Sequence, residues 1–373
     1  MTPGHLYLHV PFCLRRCSYC DFAVSALRDP PIAAWLDAIH AELRIRVEAE
    51  GWSTPGPLRT LYVGGGTPSL LGGGGMASLA KGLRRFLTWD GTAEWTAEAN
   101  PETFTRELAD DWIGAGVNRL SLGAQTFSED ALRWMGRMHG PDGPGRAVAA
   151  AREAGFQNVS IDLIFGLPAR LGRNWREDLE RALALGPEHV SLYGLTAEPA
   201  TPLGRWVREG RETLASDDTY EAEYLEAAER LVEAGFVHYE VSNFARPGLE
   251  SRHNRAYWDE SAYLGLGPGA HSYLPPRRFW NVRDWGEYRA RVAEGCSAEE
   301  DQEEVGQDGR ALERTWLGLR TTAGLPDLST RQAMLARSWE SAGWAELTQG
   351  RVRLTARGWL LLDRLAVELD ALA

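Results

Sequence analysis

Lysine is nearly absent from this chain, because Lys81 is the only lysine among 40 Lys and Arg residues. Basic residues of any kind are also in the minority, with 52 acidic side chains and a net charge of -12. Such a surface repels phosphate backbones and anionic lipid headgroups. We therefore expect no nucleic-acid partner.

Long hydrophobic runs are missing as well. No apolar stretch approaches the roughly 20 residues that span a bilayer, and the first residues, MTPGHLYLHVPFC, lack the pattern of a secretory signal. These absences predict a cytoplasmic protein. Cysteine is scarce too: there are four, of which three fall within eight residues. In a reducing compartment such a cluster serves metals or catalysis, so a disulfide scaffold is not expected.

Up to about residue 235, short β-branched runs alternate with longer amphipathic ones. This pattern is typical of successive βα units around a parallel sheet. Six units predict an α/β fold, a partial TIM-like (βα)6 barrel whose chemistry lies where strands end and loops begin. The predicted strands are Leu6–Val10, Leu58–Val63, Ala93–Ala99, Val117–Gly123, Val159–Phe165 and His189–Leu195. The predicted helices include Ala33–Ala49, Met76–Phe86, Arg146–Ala154 and Asp217–Ala234.

The remaining sequence predicts two further parts after the barrel at 1–235. Residues 236–298 are rich in Pro, Gly and aromatic residues, which indicates irregular packing against the barrel. The acidic stretch 299–308 is typical of a linker, and residues 299–373 as a whole predict a winged-helix-like α+β domain. Its predicted elements are helices at Ala311–Leu319 and Arg331–Ala342, a hairpin at Ala345–Thr355 and a helix ending at Leu369. With 13 acidic residues against 9 Arg, this domain favours packing on the barrel mouth over DNA binding.

The spacing Cys13-x3-Cys17-x2-Cys20 brings three soft thiolates together on one loop. Soft thiolates favour iron–sulfur clusters, zinc or Cu(I). Three ligands on a four-iron cube leave one iron open to a small molecule. A structural zinc needs a fourth ligand, and Cys296 lies far away in the sequence. Zinc and ordinary reduced cysteines remain the alternatives.

The segment LYLHVPFCLRRCSYCDF resembles the radical S-adenosylmethionine superfamily. Tyr7-x-His9-x-Pro11-Phe12-Cys13, followed by GGGTP, resembles more narrowly the oxygen-independent coproporphyrinogen oxidase-like group, which includes the HemW-type heme chaperones. The resemblance spans essentially the whole chain. It implies a 4Fe-4S cluster on Cys13, Cys17 and Cys20 with S-adenosylmethionine at the open iron. It also implies reductive cleavage of that ligand to methionine and a 5'-deoxyadenosyl radical.

The resemblance further implies a pocket for S-adenosylmethionine on the strand ends. Gly65 and Gly66 would let the backbone approach the ligand closely, Arg137 would pair with its carboxylate, and Glu98 and Asp162 would serve its amino group and ribose. Taken alone, each of these is as readily a strand-end polar group satisfied by neighbouring backbone. The remaining implied pocket residues are Tyr7, Thr67, Gln125, Ile164 and Gly194.

Two features separate the heme chaperones from the porphyrinogen-oxidising enzymes of the group. Phe22 stands two residues beyond Cys20, where those enzymes carry a further cysteine, and few residues precede Tyr7 where they carry an extension. The segment HNRAYW matches the HNxxYW signature of the chaperones, which implies heme binding by His253, Tyr257 and Trp258. His271 is a weaker candidate ligand. Without the family, a packed core histidine is the simpler reading.

These features predict a heme chaperone that delivers heme to an apo-hemoprotein. The alternative is an oxygen-independent coproporphyrinogen III oxidase that decarboxylates propionates. The expected partners are a heme acceptor, which includes the possibility of a transient membrane-protein acceptor, a reducing electron donor such as a flavodoxin, and a second copy in a homodimer. Whether S-adenosylmethionine is cleaved in turnover is left open by the sequence.

Overall fold

A single large sheet organises the protein, which is described by a computed structural model over residues 2–52 and 56–372. Twelve strands follow the order β14-β13-β12-β11-β1-β4-β5-β6-β7-β8-β10-β9. The strands are β1 His5–Val10, β2 Phe12–Cys13, β3 Ser25–Ala26, β4 Thr60–Gly65, β5 Glu94–Ala99, β6 Arg119–Gln125, β7 Val159–Phe165, β8 His189–Gly194, β9 Val237–Glu240, β10 Asn243–Ala245, β11 Tyr263–Leu266, β12 His271–Leu274, β13 Arg277–Asn281, β14 Glu299–Glu304, β15 Ala345–Thr348 and β16 Arg351–Leu354.

Helices connect and cover these strands, and two short 3-10 turns lie at Pro68–Leu71 and Ala169–Leu171. The helices are α1 Ile32–Ala49, α2 Gly75–Leu83, α3 Arg106–Ala115, α4 Glu129–Met135, α5 Gly143–Ala154, α6 Trp175–Ala184, α7 Pro202–Arg208, α8 Asp217–Glu233, α9 Arg252–Trp258, α10 Trp285–Ala293, α11 Gln307–Leu319, α12 Thr330–Ser341, α13 Ala356–Trp359 and α14 Leu362–Asp370. In the described part of the chain, no helix combines the length and apolarity needed to cross a membrane.

The six predicted barrel strands are confirmed as β1 and β4 to β8, each within two residues of its predicted ends. They are neighbours in the sheet and run parallel. Most of their residues are buried, as helices cover the sheet. Because parallel strands end on the same side, the segments that follow them meet on one rim. The partial α/β barrel is therefore confirmed.

The prediction of irregular packing over 236–298 is wrong. This part of the chain contains strands β9 to β13, and β11 pairs parallel with β1, which lengthens the parallel run by one strand. These strands have only three to five residues, too few for an alternating pattern to stand out between Pro and Gly turns.

The predicted linker at 299–308 is also wrong over its first half, where β14 pairs antiparallel with β13. Acidic residues have a low propensity for strands, but here nearby arginines compensate for their negative charge. Arg278 lies 2.9 Å from Glu303, and Arg46 lies 2.8 Å from Glu299. Sequence reading missed the strand because these partners are remote along the chain.

The C-terminal elements from α11 to α14 have a hydrophobic core of their own, built on Leu319, Trp339, Val352 and Leu365. The predicted helices and hairpin are confirmed, although the last helix is divided into α13 and α14. This unit packs beside β9, where the Thr322 N–H donates to the Tyr239 carbonyl at 3.1 Å. The division at 235 and 298 stays a prediction, and the place of β14 in the large sheet favours a later second boundary.

Candidate functional site: a cofactor cavity at the sheet rim

One cavity of about 1020 Å³ opens at the carboxyl ends of the parallel strands. Of the sixteen residues predicted for cofactors, His253 alone is not among its lining residues. The fifteen that line it are Tyr7, Cys13, Cys17, Cys20, Gly65, Gly66, Thr67, Glu98, Gln125, Arg137, Asp162, Ile164, Gly194, Tyr257 and Trp258.

The three cysteines lie on the loop that follows β1 and passes through the short parallel pair β2 and β3. All three are free thiols and half-buried. The Thr67 hydroxyl donates to Cys13 Sγ at 3.5 Å, and burial raises the pKa of Cys13 to about 11. Metal binding to Cys13 therefore has to displace a proton.

The donor set of this loop consists of three cysteine thiols. Within residues 2–52 and 56–372, no group of three or more His, Cys, Asp or Glu side chains is positioned around a single metal ion. A 4Fe-4S cluster needs thiolates on separate irons, so three cysteines spread along one loop suit it.

The glycines that follow β4 are required by close packing against β1 and β2. A Cβ on Gly66 would lie 2.5 Å from the Phe12 carbonyl oxygen, and one on Gly65, whose φ is 108°, would lie 2.5 Å from the His9 ring. Their N–H groups are already used, since Gly66 donates to the Val10 carbonyl at 2.7 Å and Gly65 to Glu98 at 3.0 Å. An ammonium group of a ligand is itself a donor, so here it would be served by the backbone carbonyl oxygens.

The carboxyl group of Glu98, near the end of β5, is half-buried and accepts two hydrogen bonds. The Tyr62 hydroxyl donates to Oε1 at 2.7 Å and the Gly65 N–H to Oε2 at 3.0 Å. Burial outweighs these bonds and raises the pKa of Glu98 to about 7. A cationic or hydroxyl ligand would restore the charged form.

Asp162 and Arg137 face the same space from β7 and from the end of α4. The Ser121 hydroxyl donates to both carboxylate oxygens of Asp162 at 3.0 Å, and burial raises the pKa of Asp162. Arg137 donates to the Asn100 side chain at 2.8 Å and to the Gly123 carbonyl at 2.6 Å. No carboxylate in the described residues forms an ion pair with Arg137, so its guanidinium suits an anionic ligand.

Gln125 ends β6 with φ at 65°, the left-handed region that non-glycine residues seldom adopt. The strand register also shifts between Gly123 and Gln125. Strain of this kind costs of order 1–3 kcal/mol and concentrates at ligand sites. Here it lies on the cavity wall.

Ile164, Tyr7 and Gly194, the remaining residues predicted for the S-adenosylmethionine pocket, differ in their surroundings. Ile164 is buried and lines the cavity, and Tyr7 is half-buried with its hydroxyl 3.0 Å from His9 Nδ1. At Gly194 a Cβ would lie 1.8 Å from the Tyr220 hydroxyl, so packing against α8 alone requires a glycine there.

The far wall of the cavity is aromatic and comes from α9, β11, β12 and α11. The Trp258 Nε1–H is buried and has no acceptor among the described residues, and the Arg320 guanidinium stacks over its ring at 4.5 Å. An unpaired buried donor on a cavity wall is costly unless a ligand serves it. The lining aromatic residues on this side are Tyr257, Trp258, Tyr263, Tyr273 and Trp316.

His253 is placed as a structural residue, and its predicted role as heme ligand is not supported by this geometry. Its ring is buried and both nitrogens are taken: Nδ1 lies 2.6 Å from Thr60 Oγ1 and Nε2 lies 2.9 Å from the Tyr257 hydroxyl. Burial lowers the pKa of His253 to about 3. The ring therefore joins β4 to α9 and orients Tyr257.

Sequence reasoning missed two kinds of cavity residue. Asn100 bridges Arg137 and Thr67, and its side chain donates to the Thr67 hydroxyl at 3.2 Å; its place directly after β5 was a usable signal. Trp316 comes from the C-terminal unit, whose place at the barrel mouth was predicted without the residues that face the cavity. Phe22 lines the cavity with 60% of its surface exposed.

Comparisons with known proteins agree with this site. The sequence profile of the radical SAM superfamily matches residues 7–182. The chain is 39% identical over 369 residues to the heme chaperone HemW of Mycobacterium tuberculosis, covering 97% of this chain and 93% of that protein. It is 37% identical over 321 residues to the heme chaperone HemW of Bacillus subtilis, covering 86% and 84%.

A solved structure is similar over almost the full length. Coproporphyrinogen III oxidase (HemN) from Escherichia coli, a radical SAM enzyme, superimposes with a TM-score of 0.82 and 23% identity, covering 99% of this chain and 90% of that one. At this identity the likeness establishes the fold. The fold, the cysteine loop and the sequence identities together show that the chain belongs to the radical SAM superfamily and, within it, to the HemW family.

Proposed function

We propose that this protein is a heme chaperone, which binds heme in the rim cavity and passes it to acceptor hemoproteins. The observation that carries the proposal is the composition of that one cavity. Its strand-end side gathers cysteines, carboxyls and Arg137, while its opposite side is a wall of aromatic residues. Heme presents a wide apolar face and an anionic edge, which such a wall accommodates.

Membership of the radical SAM superfamily implies a 4Fe-4S cluster and S-adenosylmethionine. Cys13, Cys17 and Cys20 would hold the cluster. Arg137 would pair with the carboxylate of S-adenosylmethionine, while Glu98 and Asp162 would accept hydrogen bonds from its amino and hydroxyl groups. When bound, the cluster and its ligand would supply one-electron chemistry. The strained turn at Gln125 and the glycines at 65 and 66 hold the cavity shape that these groups need.

Partners follow from the proposed function. A chaperone needs an apo-hemoprotein acceptor, and a reducible cluster needs an electron donor, for which a flavodoxin-like protein is suitable. A membrane-bound acceptor and a homodimer are compatible proposals, each open to direct test by co-purification and by molar mass in solution. The acidic balance of 52 against 40 charged residues disfavours a nucleic-acid partner.

The test is anaerobic reconstitution of the full chain with iron and sulfide, followed by heme titration. We expect a Soret band that saturates at a fixed stoichiometry, and transfer of that heme to apomyoglobin as a model acceptor. Trp258→Ala should weaken heme binding, whereas Trp344→Ala, on the C-terminal unit away from the cavity, should not. Coproporphyrinogen III is offered in parallel. Anaerobic conversion to protoporphyrinogen without heme uptake would favour the oxidase alternative.

A further inference from the structure

We propose that His271 is the axial ligand of the heme iron in this cavity, and that His253 acts as a positioning residue for the aromatic wall. This inference rests on the proposed function, since it names the group that would hold heme in the same site. It follows from the hydrogen bonds of the histidines, the packing of one loop and the surroundings of one ring.

Heme ligation requires a histidine nitrogen with a free lone pair at an accessible position. Of the eight histidines, seven use at least one ring nitrogen in a hydrogen bond with a described residue. Only His9 and His271 line the cavity, and His9 is buried with Nδ1 3.0 Å from the Tyr7 hydroxyl and Nε2 2.9 Å from the Ala23 carbonyl. The seven are His5, His9, His40, His139, His189, His238 and His253.

His271 differs from the other seven histidines in the contacts of its ring nitrogens. It begins β12, its side chain is exposed, and neither ring nitrogen is hydrogen-bonded to any residue that the structure describes. Its ring stacks on Trp280 of β13, with 5.6 Å between centroids and 26° between planes. The stack supports the ring from the side and leaves both ring nitrogens without a partner among the described residues, so the unprotonated one can offer its lone pair to iron. A ligand held in this way is oriented before heme arrives.

The loop before His271 fixes its position beside the cysteine loop. A Cβ on Gly267 would lie 2.6 Å from the His9 carbonyl oxygen, and one on Gly269 would lie 2.8 Å from the Ala23 side chain. Both glycines also have positive φ, at 101° and 68°. No other residue type fits these contacts without backbone movement. The segment Gly-Pro-Gly-Ala-His therefore delivers an imidazole to the cavity, next to the loop that bears Cys13 to Cys20.

The groups around His271 suit the rest of a heme molecule. Tyr263 and Tyr273 supply apolar surface on the adjacent strands. Arg283 is exposed; its Nη2 donates to the Asp21 carbonyl at 2.5 Å and lies 3.9 Å from the Asp21 carboxylate, which leaves its other N–H groups available to a propionate. Arg278 is less available, because it is paired with Glu303 and Glu313. Burial and then Arg283 lower the pKa of His271, so the imidazole is neutral at pH 7.

His253 cannot serve in the same way, because a bond to iron would require it to leave Thr60 or Tyr257. Thr60 would keep its hydrogen bond to His5 Nδ1 at 2.8 Å, but the Tyr257 hydroxyl would lose the partner it has among the described residues, which costs about 1–3 kcal/mol. Its effect on heme binding is therefore expected to pass through Tyr257. Such a role predicts that changing His253 alters affinity without altering the ligand signature of the bound iron.

The experiment compares ferric heme bound to the wild type, His271→Ala, His271→Gln and His253→Gln, by absorption and by electron paramagnetic resonance. His40→Ala is the matched control, since that half-buried histidine does not line the cavity and its hydrogen-bond partner among the described residues is the Leu79 carbonyl at 3.4 Å. We expect both His271 variants to lose the imidazole-ligated spectrum and to raise the heme Kd by roughly tenfold or more. Free imidazole should restore the spectrum of His271→Ala. His253→Gln and His40→Ala should keep the wild-type spectrum.

The outcomes separate the two proposals. If the wild type binds heme and both His271 variants keep its spectrum and Kd, this inference is overturned and the chaperone proposal stands. Loss of the imidazole signature in His253→Gln alone would also overturn it. If the wild type takes up no heme, the chaperone proposal fails and the ligand assignment with it. His271→Gln guards against misfolding, because it retains a polar side chain of similar length at this exposed position.

Discussion

At the scale of single residues, burial in the cavity raises the pKa of carboxyl groups, so that they stay protonated at pH values at which an exposed carboxyl group is ionised. Glu98 has a folded pKa of about 7 because burial opposes its charge. A carboxyl whose pKa is raised on folding stabilises the protein fully below its unfolded pKa. That contribution is lost as the pH rises through the folded value. The apo-protein should therefore become less stable between about pH 4.5 and pH 7.

Glu98→Gln should remove this part of the pH dependence. Relative to the wild type, the variant gains stability as the pH rises across that window, by on the order of 3 kcal/mol at most. Denaturant titration of the apo-protein at pH 5 and pH 8 gives the free energy of unfolding that checks this prediction. Glu48→Gln is the control, since that side chain is 64% exposed. A difference between Glu98→Gln and the wild type that does not change with pH would contradict the prediction.

The sequence predicted the identities of the cavity residues well because function requires particular side chains directly after strands. Fifteen predicted residues meet in one cavity. It did not predict what each nitrogen or oxygen contacts. His253 stands in a recognisable motif, yet Thr60, 193 positions away in the chain, occupies one of its nitrogens. Contacts of that range depend on sheet order, which no local pattern encodes.

At the scale of elements, helix α9 shows how a short helix with little stability of its own is held in place. It has seven residues, and its first N–H groups, those of Arg252 and His253, donate to the Glu94 carboxylate at 2.9 and 3.0 Å. The negative charge at the helix N-terminus also stabilises the helix by interacting with its dipole. Tyr257 and Trp258 follow one turn later, so Glu94 on β5 positions the aromatic wall.

Glu94→Gln should destabilise the protein by about 1–2 kcal/mol, because the one amide oxygen of glutamine can accept from only one of the two N–H groups, and without the help of a negative charge. Heme affinity should fall as well, since α9 carries part of the wall. Denaturant unfolding and heme titration measure the two effects. Glu107→Gln tests the same change in the exposed first turn of α3, where a much smaller loss of stability is expected because that carboxylate is surrounded by water. Equal effects at the two positions would argue against an anchoring role.

The element scale is also where sequence prediction failed. The barrel strands have six or seven mostly buried residues and alternate with helices, so their positions were predicted to within two residues. By contrast, β14 has the sequence EEDQEE, and its glutamates are paired with Arg46, Arg277 and Arg278. Cross-strand charge pairs of this kind decide structure where propensity is weak.

At the scale of the whole molecule, the cavity is shared between the barrel and the C-terminal unit. Glu313, Trp316 and Leu317 of α11 line the side that faces α9 and β12. This confirms the predicted place of that unit at the barrel mouth. The residues proposed for S-adenosylmethionine belong to β1 and to the segments from β4 to β8, so the two ligands would contact different parts of the chain.

Trp316→Ala should therefore weaken heme binding without weakening the binding of S-adenosylmethionine. The Trp316 Nε1–H donates to Asp363 at 2.7 Å, which fixes the ring as part of the wall. Its loss removes aromatic contact worth about 1–2 kcal/mol, or a roughly tenfold rise in the heme Kd. Separate titrations with heme and with S-adenosylmethionine on the reconstituted protein measure the split. Trp344→Ala controls for losing a half-buried tryptophan from the same unit. If both ligands weakened together, the C-terminal unit would be holding the barrel in shape, and its role as a wall for one ligand would be rejected.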